Sequence, residues 1–158
     1  MLHEMTSHEN MRTNIEALGL PERPARVLVV DDELLVAQGI MATLKSLGFD
    51  IVGPCKNGAE AIANCREDKP DIVLMDIQMP VMNGMQAAQI IFPELDIPVV
   101  MLTAYSDDTY LQNCVAAGVF GFLLKPASSE QLSAGITVAW ERFLDHVEQR
   151  SQIVDLKQ

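Results

Sequence analysis

Five polar residues that could do chemistry each stand at the end of a short apolar run. Val27 to Val30 leads into Asp31 and Asp32. Ile72 to Met75 leads into Asp76. Ile97 to Leu102 leads into Thr103, and Val119 to Leu124 into Lys125 and Pro126. Short unbroken apolar runs with β-branched members, closed by turn residues, suit strands of a parallel sheet covered on both faces. Open sheets of that kind bind ligands at the carboxyl ends of their strands. If the strands are neighbours, three carboxylates, a hydroxyl and an ammonium meet on one rim. Clustered carboxylates raise one another's pKa or recruit a cation. A ligand set of oxygens favours a hard ion such as Mg2+, or Mn2+. A carboxylate beside such an ion and a lysine suits nucleophilic attack on phosphorus, giving an acyl phosphate.

The elements between these runs must position them. A helix is expected after Glu33, with Leu34, Leu35, Ile40, Met41, Leu44 and Leu47 as its apolar positions. A strand over Phe49–Val52 and a helix over 58–67 follow. Asn83-Gly84 opens a helix that Pro93 should close. Asp107 can cap a helix through about Ala117, and Ser128 or Ser129 caps the last one. Five strand–helix repeats with crossovers of this length predict an α/β fold. It is a doubly wound, five-stranded parallel sheet in the order 2-1-3-4-5, flavodoxin-like, with an extended C-terminal helix. That order places strands 1 and 3 side by side and gathers Asp31, Asp32, Asp76, Thr103 and Lys125 in one crevice.

The chain has 158 residues and a net charge of −11. Such acidity argues against direct contact with nucleic acid, whose phosphates need a basic surface. No apolar stretch is long enough to span a bilayer, and the N-terminus lacks a signal-peptide core, so a cytoplasmic location is expected. Three scattered cysteines imply no disulfide framework. Residues 1–25 are expected to form an N-terminal appendage and linker, with a short helix over Ser7–Leu18; 26–143 form the domain and 144–158 a helical extension.

These residues together resemble the receiver domain of two-component response regulators. The matching stretches are Val29 to Glu33, Asp76 to Gly84, Leu102 to Ala104, and Phe122 to Pro126. The resemblance implies that Asp76 accepts a phosphoryl group from a histidine kinase or phosphotransfer protein. It implies that Asp32, Asp76 and the backbone carbonyl of Gln78 hold Mg2+, with Asp31 acting through water. Thr103 and Lys125 would contact the phosphoryl group, with Phe122 as the aromatic switch. The Lys125–Pro126 bond resembles the family's cis peptide. Gln78 and Tyr105 read as rim residues that tune water access. Such a domain catalyses only its own phosphorylation and dephosphorylation, and signals to a downstream protein.

Ile136, Trp140, Phe143, Val147 and Val154 fall at alternating four- and three-residue steps, a coiled-coil-like seam. A homodimer through this helix, or through the face of the expected helix over 107–117, would follow. The long last helix also resembles regulators that continue into an RNA-binding ANTAR domain, although the chain ends before one would begin. Two rivals remain. An aspartate-nucleophile phosphohydrolase needs an acid two residues after the nucleophile, where this chain has Gln78. A pseudo-receiver would share the fold as a binding module without being phosphorylated.

Overall fold

The computed structural model describes residues 19–104 and 118–157. Five strands, β1 (Arg26–Val30), β2 (Asp50–Cys55), β3 (Ile72–Asp76), β4 (Val99–Thr103) and β5 (Val119–Leu124), form one parallel sheet in the order β2-β1-β3-β4-β5. The described helices are α1 (Leu34–Ser46), α2 (Gly58–Asp68), α3 (Gly84–Leu95) and α4 (Ser129–Lys157). The expected helices over 7–18 and 107–117, and Tyr105, lie outside the described residues.

Alternate residues of each strand serve opposite faces. Leu28, Val30, Val73, Met75, Val99 and Met101 join Ala61, Ile62 and Cys65 of α2 and Ala87, Ala88 and Ile91 of α3 in one layer. Val27, Val29, Ile72, Leu74, Val100 and Leu102 join Ala37 and Leu44 of α1 and Leu132, Ile136 and Ala139 of α4 in the other. Each fully buried Val, Leu, Ile or Met among them stabilises the fold by roughly 1.5–3 kcal/mol relative to exposure.

Helix starts follow their cap residues. Asn57 accepts the amide of Glu60 at 2.9 Å, and Asn83 forms a reciprocal box with Gln86. Ser128 does the same with Gln131, which settles the choice of cap for α4.

Two boundaries differ from expectation. The second strand does not stop at Val52 but continues through Gly53 and Pro54 to Cys55. β2 is an edge strand, where a proline costs no essential ladder bond. Three residues of β2 oppose two of β1 there, because Leu28 pairs with Val52 and Val30 with Cys55. The third helix runs two residues past Pro93 and ends at Asp96 in a left-handed conformation. Pro93 forfeits only the bond to the carbonyl of Gln89, an exposed residue whose carbonyl water can satisfy.

The stretch read as a linker is bound to the domain where it is described. Leu20 packs on Trp140 and Phe143, and Trp140 Nε1 donates to the Pro21 carbonyl at 3.1 Å. Arg23 sits over the Phe49 ring, 4.7 Å from its centroid. Asp71 accepts the amides of Ala25 and Arg26.

α4 is one continuous helix to Lys157. Ile136, Trp140 and Phe143 of the expected pairing seam are at most 2% exposed and pack on their own chain. Phe92, Phe120 and Phe143 form an edge-to-face cluster with centroids 5.0 to 6.4 Å apart, and His146 joins it 5.3 Å from Phe92. No helix among the described residues is long and apolar enough to cross a membrane.

Candidate functional site

Strand register brings the predicted residues together. Val30 pairs with Met75, so Asp31 stands level with Asp76. Asp76 pairs with Leu102, so Thr103 lies one step further along. Thr103 pairs with Leu124, and Lys125 follows. A groove of about 860 Å³ opens at this rim, lined by Asp32, Asp76, Gln78, Thr103, Lys125 and the side of α1 from Leu35 to Thr43.

Asp31 is buried, and each of its carboxylate oxygens accepts a donor. One carboxylate oxygen accepts the Glu33 amide at 3.0 Å, and the other accepts Lys125 Nζ at 2.6 Å. Asp31 therefore both steadies the start of α1 and holds the lysine. Asp32 is exposed at the groove wall. Asp76 accepts the Gln78 amide at 3.3 Å on Oδ1 and Lys125 Nζ at 3.1 Å on Oδ2. Carboxylate oxygens of Asp31, Asp32 and Asp76 lie within 4.8 Å of one another.

Burial pushes the Asp76 pKa above the ordinary carboxylate value, against the hydrogen bond and charge of Lys125, and the charge of Asp31 adds to the rise. Burial would lower the pKa of Lys125, but hydrogen bonds to Asp31 and then Asp76 outweigh it and hold the ammonium above its usual range. The lysine is therefore a fixed positive charge at neutral pH. Three acidic oxygen donors with no nitrogen or sulfur among them fit a hard divalent cation, which uses one or two carboxylates and retains water.

Thr103 is buried at the end of β4 and lines the groove, and its carbonyl accepts the Lys125 amide at 2.8 Å. The Lys125–Pro126 bond is cis, as the resemblance implies; the Gly53–Pro54 bond, which sequence reading did not single out, is cis as well. Phe122 is not part of the groove lining. It is partly buried and packs on the layer shared with α2 and α3, beside Met101. Gln78 is exposed at the rim. Sequence reading missed two contacts of the site. The Asp31 amide donates to the Cys55 carbonyl at 2.9 Å, and the Gly58 amide donates to the Met82 carbonyl at 3.0 Å. The Asn57-Gly58 pair after β2 was the available signal, because it marks a tight turn.

The family profile of the response regulator receiver domain matches residues 27–137. The transcriptional regulatory protein PdtaR of Mycobacterium tuberculosis is 33% identical over 135 residues, covering 85% of this chain and 66% of the relative. YdfI of Bacillus subtilis, also a transcriptional regulatory protein, is 38% identical over 108 residues, 68% of this chain and 51% of its own. The chain thus spans about half to two thirds of the length of these relatives. Among solved structures, the signal receiver domain of a modulated diguanylate cyclase from Desulfovibrio desulfuricans superposes with a TM-score of 0.70 at 30% identity, covering 77% of this chain and 96% of its own. CheY in the CheX-CheY-BeF3-Mg complex from Borrelia burgdorferi gives 0.70 at 26%, covering 75% and 90%. Register, acidic rim and similarity agree: this chain belongs to the response regulator receiver domains of two-component signalling.

Proposed function

We propose that the protein takes a phosphoryl group onto Asp76 from the phosphohistidine of a kinase or phosphotransfer protein. One Asp76 carboxylate oxygen attacks phosphorus, the P–N bond of the donor breaks, and the imidazole leaves with the electron pair. The product is an acyl phosphate. The observation that carries this reading is Lys125 Nζ bridging Asp31 and Asp76 at 2.6 and 3.1 Å, a part-buried cation beside the part-buried carboxylate that ends β3. Its ammonium is placed to neutralise charge on the transferred group, where phosphoryl transfer needs most help.

Asp32, Asp76 and the Gln78 carbonyl would hold Mg2+ or Mn2+, with Asp31 acting through water. Bound there, the ion would supply charge neutralisation of the phosphoryl oxygens. The related complex described with BeF3 and Mg supports that assignment. Thr103, one step beyond Asp76 in the register, donates its hydroxyl to the phosphoryl group, and Phe122 follows it as the switch. Gln78 and Tyr105 tune water access at the rim. Leu34 and Leu35, in the first turn of α1, and Val81, in the loop after β3, are 58, 84 and 85% exposed. They offer the donor protein an apolar landing beside Asp76.

Output passes to a downstream protein or to a second copy of this chain. Light scattering with Mg2+, with and without beryllofluoride, separates the two: a doubled mass indicates the second copy. Incubation with acetyl phosphate and Mg2+ tests the chemistry itself. A mass gain of one phosphoryl group is expected in the native protein and none in Asp76→Asn. Label retained by the variant refutes Asp76 as acceptor. Sustained turnover of phosphate esters would favour a phosphohydrolase instead.

A further inference from the structure

We propose that the turn Cys55–Gly58 is the positioning element of the acidic groove, with Asn57 and Gly58 as its positioning residues. The inference rests on reading Asp76 as the phosphoacceptor and its neighbours as the ion's ligands. Neither Asn57 nor Gly58 lines the groove. The turn nevertheless touches both loops that carry acids.

On one side, the Cys55 carbonyl accepts the amide of Asp31 at 2.9 Å. The extra residue of β2 between Val52 and Cys55 brings that carbonyl level with the end of β1. Bulges of this kind often stand next to active sites, where they re-aim neighbouring groups. On the other side, the Gly58 amide donates to the Met82 carbonyl at 3.0 Å, in the loop that runs from Asp76 to α3. That loop is then closed by the Gly84 amide on the Ile77 carbonyl at 2.8 Å.

The fit at Gly58 leaves no room for a side chain. A Cβ there would sit 2.8 Å from the Met82 carbonyl oxygen, 2.9 Å from Met82 Cγ and 3.0 Å from Ala87 Cβ. Two of those neighbours belong to the loop after Asp76, and the third to α3. Asn57 sets the turn. It is buried, and its side chain accepts the Glu60 amide at 2.9 Å while its Nδ2 donates to Glu60 at 3.3 Å. One four-residue turn thus fixes the separation of Asp31 from the Asp76 loop. Groups that orient metal ligands from behind typically change affinity by about 10–100-fold when altered.

The test is Mg2+ affinity by calorimetry on the metal-free protein, with amide hydrogen exchange of Asp31 and Gly58 beside it. Gly58→Ala and Asn57→Ala are expected to weaken Mg2+ binding by about tenfold or more, and Asn57→Ala to speed exchange at both amides. Asn57→Ser keeps a cap acceptor and should restore affinity to within about twofold of native. Ile136→Val, in the opposite layer, lowers stability without touching the turn and should leave affinity unchanged. If Gly58→Ala does not fold, the Asn57 pair decides alone. Native affinity in both Gly58→Ala and Asn57→Ala, despite lower melting temperatures, overturns the positioning role and leaves Asp76 as acceptor standing. Absence of both Mg2+ binding and acetyl phosphate labelling in the native protein overturns the functional reading and this inference together.

Discussion

Replacing Lys125 with methionine should destabilise the protein, and a divalent cation should then recover much of the loss. The lysine side chain is 18% exposed, that of Asp31 is fully buried, and that of Asp76 is 14% exposed. At an effective dielectric of 20, contacts at 2.6 and 3.1 Å correspond to roughly 6 and 5 kcal/mol of attraction. Desolvating the ammonium takes back much of that sum. Breaking a buried pair from one side typically costs about 3–5 kcal/mol, because the partner charge is left uncompensated. The groove opens to water, so the low end, about 3 kcal/mol, is expected. In a domain of this size that is a drop of about 10 °C in melting temperature.

The sign with pH follows from linkage. Lys125 has its folded pKa raised, so its contribution is complete below its unfolded value of 10.5 and lost only as pH rises through the folded one. The deficit is therefore full at neutral pH. Asp76, already above its usual range, should rise further once the cation is gone. The native variant then binds protons more readily than its unfolded chain, and the deficit narrows as pH falls toward 4. Mg2+ at about a hundred times its dissociation constant would add roughly 2.7 kcal/mol. Thermal melts by circular dichroism, with Mg2+ and with chelator at several pH values, provide the assay. A metal-free variant that melts with the native protein, or that gains less than it from Mg2+, refutes the charge argument.

Other perturbations probe single contacts. Val81 has a positive φ of 68° and is 85% exposed, so Val81→Asn should gain about 1 kcal/mol by relieving backbone strain, read as a rise of a few degrees in the melt. A Cβ on Gly84 would overlap the Asp76 carbonyl oxygen, so Gly84→Ala should cost about 2 kcal/mol or more and reduce acetyl phosphate labelling. The raised Asp76 pKa means that ionised Asp76 costs stability above its folded pKa; Asp76→Asn should flatten the stability curve just above pH 4, measured by urea titration. Leu20→Ala should open the cover of the single tryptophan, Trp140, and shift its fluorescence to the red.

The sheet and its rim were legible because both depend on local patterns. Apolar runs ending in Asp31, Asp76, Thr103 and Lys125 specify parallel strands, and strand order turns distant residues into neighbours. What the sequence did not disclose lies in contacts that no single segment specifies. Lys125 approaches Asp31 more closely than Asp76, a preference set by the register of three strand pairs and by the burial of Asp31. The apolar steps of the last helix read equally well as a seam for a second chain or a stripe for its own core. Ile136, Trp140 and Phe143 take the second role because Val100, Phe120 and Leu20 supply the facing surface. Periodicity says that a stripe must be covered and is silent on which chain covers it. Gly53 and Pro54 read as a strand stop for a similar reason. Only the edge position of β2 tolerates them, and edge position belongs to the sheet as a whole. The bulge they form is what carries the Cys55 carbonyl to Asp31. The least readable part of the chain is thus the part that holds its best-marked residues in place.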